Sequence, residues 1–346
     1  MINKQEQQSG DHSTNIQAHQ FIVQGLTYPE VKQVALDVFR SNFYELAGKA
    51  RDIAGARAEE ITEEFLKKLQ IENPLGFSQA EDPNFQQALF TVQKEYAVTG
   101  DKELGNLLVD LLVDRSKCEQ RSILQIVLNE SLVVAPKLTS DQLAALALIF
   151  IFRYTESTWV RNHEALGSYF DKFVLPFADK LSKSDSCYQH LEYSGCGSMG
   201  LGEELDSLIR LSFRGLFVHG FDATEVASRE IKIGFDALFF APCLNNPNKF
   251  QVNAANEIHL KKLLSEHSVD HEDRARIMEL FNEGLMNNKE VIEKCISIRP
   301  YMELVFLAWN SSSIRVFCLT SVGIAIGHAN IKRVVRDFPE LAVWIN

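Results

Sequence analysis

Proline ends helices, and after Pro29 the chain carries no proline until Pro74. Thr27 is suited to cap a helix, Pro29 falls in its first turn where the missing N–H costs nothing, and Glu30 stands at the third helical position, a capping box. The pattern predicts one helix from Tyr28 to Leu69, about 42 residues and roughly 60 Å long, far beyond the usual length. Its apolar residues recur every eleven positions, in the rows Phe39, Ala50, Ile61 and Phe43, Ala54, Phe65. An eleven-residue period describes a bundle that is nearly straight or slightly right-handed. Between Ala47 and Ala58 the residues are small, so a neighbour is expected to approach closely there. The stripe implies either a self-associating stalk or a long helix packed on its own domain.

Beyond the stalk, residues 73–182 read as a helical domain. Asp82 before Pro83 starts a helix that Gly100 ends, Asp101 starts the next, and another runs from about Glu119 to Ala135, where Pro136 stops it. Thr139 with Gln142 forms a second capping box ahead of the apolar run Leu143–Phe152. At ten residues that run is too short to span a bilayer and reads as a buried helix. A helix from about Val160 to Leu181, kinked at Pro176, follows. Successive amphipathic helices with short connections describe an antiparallel array.

Residues 183–202, rich in serine and glycine, are the expected domain boundary or functional loop. Residues 203–346 form a second helical region, with helices expected at Glu203–Arg214, Thr224–Phe240, Ala254–Ser265, Glu272–Met286 and Lys289–Ile296. Short apolar runs between Phe235 and Val252 could instead conceal a sheet. At the end, Pro300–Trp309 reads as a helix, Ile314–Leu319 as a strand, and Thr320 as the cap of a last helix, a winged-helix-like order. The fold class is therefore mainly α, with a very long N-terminal helix, a short β leader and a small winged-helix-like C-terminal element.

The chain has 346 residues, 46% of them apolar and 23% charged, as an ordinary globular protein has. Its formal net charge of −11 repels phosphate backbones and anionic lipid, so generic nucleic-acid binding and membrane attachment are disfavoured. The six cysteines are scattered behind a polar N-terminus without a signal peptide, which points to reduced thiols in a cytoplasm.

Residues 1–12 are polar and read as a tail. From 13 to 26 the sequence STNIQAHQFIVQGL combines alternation with the run Phe21, Ile22, Val23, which suits one or two short strands. A strand this small is unstable by itself, so Ile16, Phe21 and Val23 are expected to pair with the body or with other copies. The stretch Ser9-Gly10-Asp11-His12-Ser13-Thr14-Asn15-Ile16-Gln17 resembles the GD-N-STNIQ leader of bacterial proteins from conflict and anti-phage gene neighbourhoods, with His12 where asparagine is common. Leu104–Arg115, Ile123–Thr139 and Phe317–Arg333 are similar to one uncharacterised bacterial family that carries this leader. The resemblance implies self-assembly and a defence context, and it brings no activity or active site.

Three motifs are candidates for chemistry. The loop Gly195-Cys196-Gly197-Ser198-Met199-Gly200-Leu201-Gly202 contains G-x-G-x-x-G ahead of a helix, where Gly195, Gly197, Ser198 and Gly200 could cradle a phosphate. No buried strand of a βαβ unit precedes it, which favours an ordinary inter-helix loop. Cys187, His190 and Cys196 have metal-ligand chemistry, with His163, His219 or Cys243 as a fourth donor, but their spacing matches no standard zinc site. His267 and His271 stand in a segment better read as a cap, with Asp270 as its N-cap. Lys332, Arg333 and Arg336, with His328 and Asn330, make a basic face that a winged helix would turn to nucleic acid.

The sequence thus reads as an oligomeric interaction, regulatory or sensor protein of a bacterial cytoplasm, linked to phage defence. Its expected partners are further copies of itself and a protein encoded nearby. The alternatives are a nucleotide- or metal-dependent effector using Gly195–Gly202, and a winged-helix-like nucleic-acid binder. Cofactor and reaction are left open.

Overall fold

The computed structural model describes residues 26–43, 48–335 and 337–345. The expected stalk is two helices, α1 (Tyr28–Asn42) and α2 (Lys49–Glu72), folded into an antiparallel hairpin. Lys32 near the start of α1 reaches Glu63 at 2.7 Å and Glu59 at 3.2 Å towards the end of α2, while Phe39 packs on Ala54 and Ala58. The reversal uses Gly48, which precedes α2 with φ +58°. The small residues of this region let the hairpin close: Ala54 and Ala58 are buried under Phe39, and the Phe43 ring stacks on Phe39 at 4.7 Å. Phe39, Ala54, Ile61 and Phe65 are buried within the chain and Ala50 is exposed. Most of the eleven-residue stripe therefore packs into this protein's own core. Ile16, Phe21 and Val23 of the leader lie outside the described residues.

The other starts fall where their caps place them. Asp82 accepts from the Phe85 N–H at 2.7 Å at the head of α3 (Pro83–Thr99), and Gly100 closes that helix in the left-handed conformation. Asp101 caps α4 (Lys102–Ser116), Ser122 caps α5 (Ile123–Val134), and the Thr139–Gln142 box opens α6 (Ser140–Tyr154). The helix expected up to Leu181 stops earlier, as α7 (His163–Phe173), and is followed by a short 3-10 turn at Leu175–Phe177. Next come α8 (Asp185–Tyr193), β1 (Gly197–Met199) and α9 (Leu205–Ser212).

A small lobe, residues 218–286, carries α10 (Thr224–Ser228), β2 (Phe240–Pro242), β3 (Phe250–Val252), α11 (Glu257–Glu266) and α12 (His271–Asn282). The helix expected over Thr224–Phe240 ends after its first turns. The buried Asp273 carboxylate takes the Lys232 and Ile233 N–H groups, each at 2.9 Å, and Gly234 turns with φ +64°. The sheet suspected between Phe235 and Val252 is present as the antiparallel β2–β3 pair. The lobe has its own core, built on Phe240, Leu260, Ile277 and Phe281, and the chain segments that enter and leave it are joined by an antiparallel bridge between Val218 and Leu285.

The chain then returns through α13 (Asn288–Ile298), α14 (Met302–Asn310), β4 (Phe317–Leu319) and α15 (Ser321–Val334). No wing forms here. β4 pairs with β1, Gly197 opposite Leu319, and α15 runs through the middle of the body against α4, α5 and α6. Helices α6 and α15 are the centre of the main core, which takes in residues from Val31 to Ile345. Residues on both sides of 183–202 pack into this main core.

Candidate functional site

In the glycine-rich loop the glycines serve packing. A Cβ on Gly197 would run into the Phe317 ring and the Cys318 carbonyl, so glycine lets β1 lie flat on β4. Gly195 follows α8 in a positive-φ turn, Ser198 and Gly200 are exposed, and the Gly200 N–H donates to the Val316 carbonyl at 2.7 Å. Helix α9 has Glu204 at its N-cap with Glu203 before it, and its Leu205 N–H donates to Asn310 Oδ1 at 3.1 Å, so this end is acidic and already engaged.

The proposed metal donors are not gathered. Gln142 Nε2 donates to the Cys187 carbonyl at 2.8 Å and lies 2.9 Å from His190 Nδ1, whereas Cys196 is buried, with its thiol pushed up to about 12 by desolvation. His163 bonds the Leu216 carbonyl, His219 faces Glu290, and the Cys243 thiol points to the Val218 carbonyl. Among the described residues no three His, Cys, Asp or Glu side chains come together as a metal site. Asp270 does cap the following helix, accepting from the Glu272 and Asp273 N–H groups.

The basic face of α15 is turned inward. Lys332 pairs with Asp114 at 2.9 Å and Glu72 at 3.4 Å, Arg333 holds Glu103, and His328 and Asn330 are buried; Arg336 lies outside the described residues.

What the structure does assemble is a groove at the C-terminal end of α6. The helix ends at Tyr154, where Thr155 leaves it and returns its hydroxyl to the Ile151 carbonyl at 2.7 Å. The following loop carries Trp159 over Tyr169 of α7, centroids 6.3 Å apart. The aromatic wall continues from Tyr169 to Phe173 at 5.1 Å, to Phe338 at 6.1 Å and to Trp344 at 5.8 Å. The C-terminal segment is fastened as the far wall because Trp344 Nε1 donates to the Tyr154 carbonyl at 2.6 Å.

The groove encloses about 600 Å³, within the range of ligand sites. Trp159 is 45% exposed. Lys172 lies over the Phe173 ring at 5.2 Å, and the hydroxyl of Ser157 is buried in the groove wall without a hydrogen-bond partner among the described residues. From Glu156 to Arg161 the backbone makes no backbone hydrogen bond among the described residues. The groove therefore offers aromatic surface flanked by open peptide groups.

Behind Tyr154, Thr155 and Glu156 lies a second cleft of about 610 Å³, between the body and α11 of the small lobe. Its polar groups are largely engaged: Arg153 bonds the Arg315 carbonyl and approaches Glu203 at 3.7 Å, and Lys261 holds Glu257 at 2.6 Å.

One protein-family model matches residues 25–345. The chain belongs to that family, an uncharacterised one. No curated protein and no solved structure matches the chain. The matched span covers every element from α1 to α15 and both clefts, and it starts after the leader at residues 9–17.

The groove was missed in sequence because its rings come from a loop, α7 and the C-terminal segment, none adjacent in the chain. The one local signal is Trp159 in the polar stretch Thr155-Glu156-Ser157-Thr158. A tryptophan there has no helical stripe to join.

Proposed function

We propose that this protein is an interaction or sensor component of a bacterial cell, linked to phage defence, that recognises a segment of a partner protein at the aromatic groove. The observation that carries the reading is the half-exposed Trp159 at the open end of a continuous aromatic wall. Large apolar patches that remain exposed usually mark interaction sites, and rigid aromatic anchors dominate such interfaces. The occupant is a polypeptide because the peptide groups of 156–159, which line the groove, make no backbone hydrogen bond among the described residues and could pair with an extended chain. Self-association is assigned to the leader, since the hairpin keeps most of its own stripe inside.

Two measurements test this. Molar mass by light scattering on the full chain and on a version lacking residues 1–26 should fall to the monomer only in the truncation; equal masses would place self-association elsewhere or remove it. Affinity capture from the native bacterial host should return a protein partner with the full chain and lose it with Trp159→Ala, while circular dichroism is unchanged. A partner retained by Trp159→Ala at full strength would remove the groove from the reading. The glycine-rich loop and the basic C-terminal helix have no comparable observation in their favour.

A further inference from the structure

A third cavity, of about 220 Å³, lies where the core of the small lobe meets its two connecting segments. That is below the roughly 300 Å³ at which drug-sized ligand sites begin, so an occupant would be the size of a small metabolite. Its lining is mixed, and the apolar part of it is made by Phe221, Val252, Leu280 and Phe281. Its charged groups are Arg229, Lys249, Asp222, Glu225 and Glu283.

Arg229 is already neutralised: its two terminal nitrogens meet the Glu283 carboxylate at 3.1 and 2.6 Å, and its Nε lies 3.5 Å from Glu225. That bidentate pair closes one side as structure. Two groups of opposite sign are left over. Lys249 is half-buried and Asp222 exposed, both line the cavity, and neither has an ion-pair partner among the described residues.

We propose that this cavity binds an apolar α-amino acid as its zwitterion. The carboxylate meets Lys249, the ammonium meets Asp222 with Glu225 beside it, and the side chain lies on the apolar part of the lining. A simple anion would meet Lys249 but face the Asp222 carboxylate, and a simple amine would meet Asp222 but leave Lys249 without a counter-charge; a ligand carrying both charges pairs with both leftover groups. The site is separate from the aromatic groove, so it stands or falls independently of the partner reading.

The test is calorimetric titration and thermal shift of the full chain with L-phenylalanine and L-leucine, beside 3-phenylpropionate, which lacks the ammonium, and phenethylamine, which lacks the carboxylate. Saturable binding of an amino acid is expected, with each truncated analogue weaker by about tenfold or more. Lys249→Met should weaken the amino acid and leave phenethylamine unchanged, and Asp222→Asn should weaken it and leave 3-phenylpropionate unchanged. Both positions are off the core, so the variants should fold. An analogue that binds as well as the amino acid, an affinity indifferent to both substitutions, or no binding of either amino acid at millimolar concentration would each overturn the assignment.

Discussion

Asp114 is almost wholly buried, with Lys332 at 2.9 Å and Lys117 at 3.0 Å. Burial by itself would raise its carboxyl pKa, but the two ammonium groups more than offset that and hold it below the ordinary range. Lys332→Met would leave the carboxylate buried with one partner, and breaking such a pair costs about 3 kcal/mol. Urea denaturation should show a midpoint lowered accordingly.

His328 has the opposite chemistry. Its Nε2 donates to the Pro339 carbonyl at 2.7 Å while Nδ1 is buried without a partner, among Phe150, Phe338 and Trp344. Burial pushes its pKa down. A depressed folded pKa means stability that is fully present above the unfolded value of about 6.5 and lost as the pH falls through the folded one. His163, also depressed by burial, adds to the same trend. The melting temperature should therefore drop between pH 7.5 and 5.5, and less steeply in His328→Phe; equal slopes would show that His328 is not a source of the acid sensitivity.

At the scale of elements, the hairpin of α1 and α2 makes the sharpest prediction. Ala58 is wholly buried against α1 and α3, whereas Ala50 is exposed. Overpacking a closed contact costs about 1–3 kcal/mol, and an exposed substitution usually stays within about 0.5 kcal/mol. Ala58→Leu should therefore lower stability and Ala50→Leu should not, as read by denaturant titration; a continuous stalk would treat the two alike. Helix starts were legible here because a cap is local chemistry: Asp82, Asp101, Thr139, Asp270 and Thr320 each accept from N–H groups two or three residues away, and at Thr27 the N–H donates to the Glu30 carboxylate. The break at Gly48 was not, since a glycine inside an apolar pattern reads equally well as a tolerated interior residue or as a turn. What decides between them is Glu63 reaching Lys32, a contact between residues far apart in sequence.

Among the described residues a main core and the smaller core of the lobe share one chain, beside a small cluster in the hairpin. The main core is organised on α6 and α15, where long runs of residues are buried from end to end, while the small lobe rests on a shorter set of apolar residues. Local opening follows the amount of buried apolar contact. Amides of α11 and α12 should exchange with deuterium earlier than those of α6 and α15; uniform protection would show that the lobe and body unfold as one unit. No described helix is long and apolar enough to cross a membrane, which accords with the ten-residue length of the run Leu143–Phe152.

The sequence by itself determined the class of the fold, the capped starts of α1, α3, α4, α6, α12 and α15 and the burial of α6, because capping, amphipathic period and apolar run length act within a few residues. It also raised the β2–β3 sheet as an alternative. Only the tertiary structure decided that the long N-terminal run doubles back, that β4 pairs with β1, that the basic face of α15 is occupied by Asp114, Glu72 and Glu103, and that Trp159 joins rings from three separate segments. Each of those outcomes is a contact between residues distant in the chain. Its energy comes from burying surface or pairing charge across elements, a quantity no local window of sequence contains.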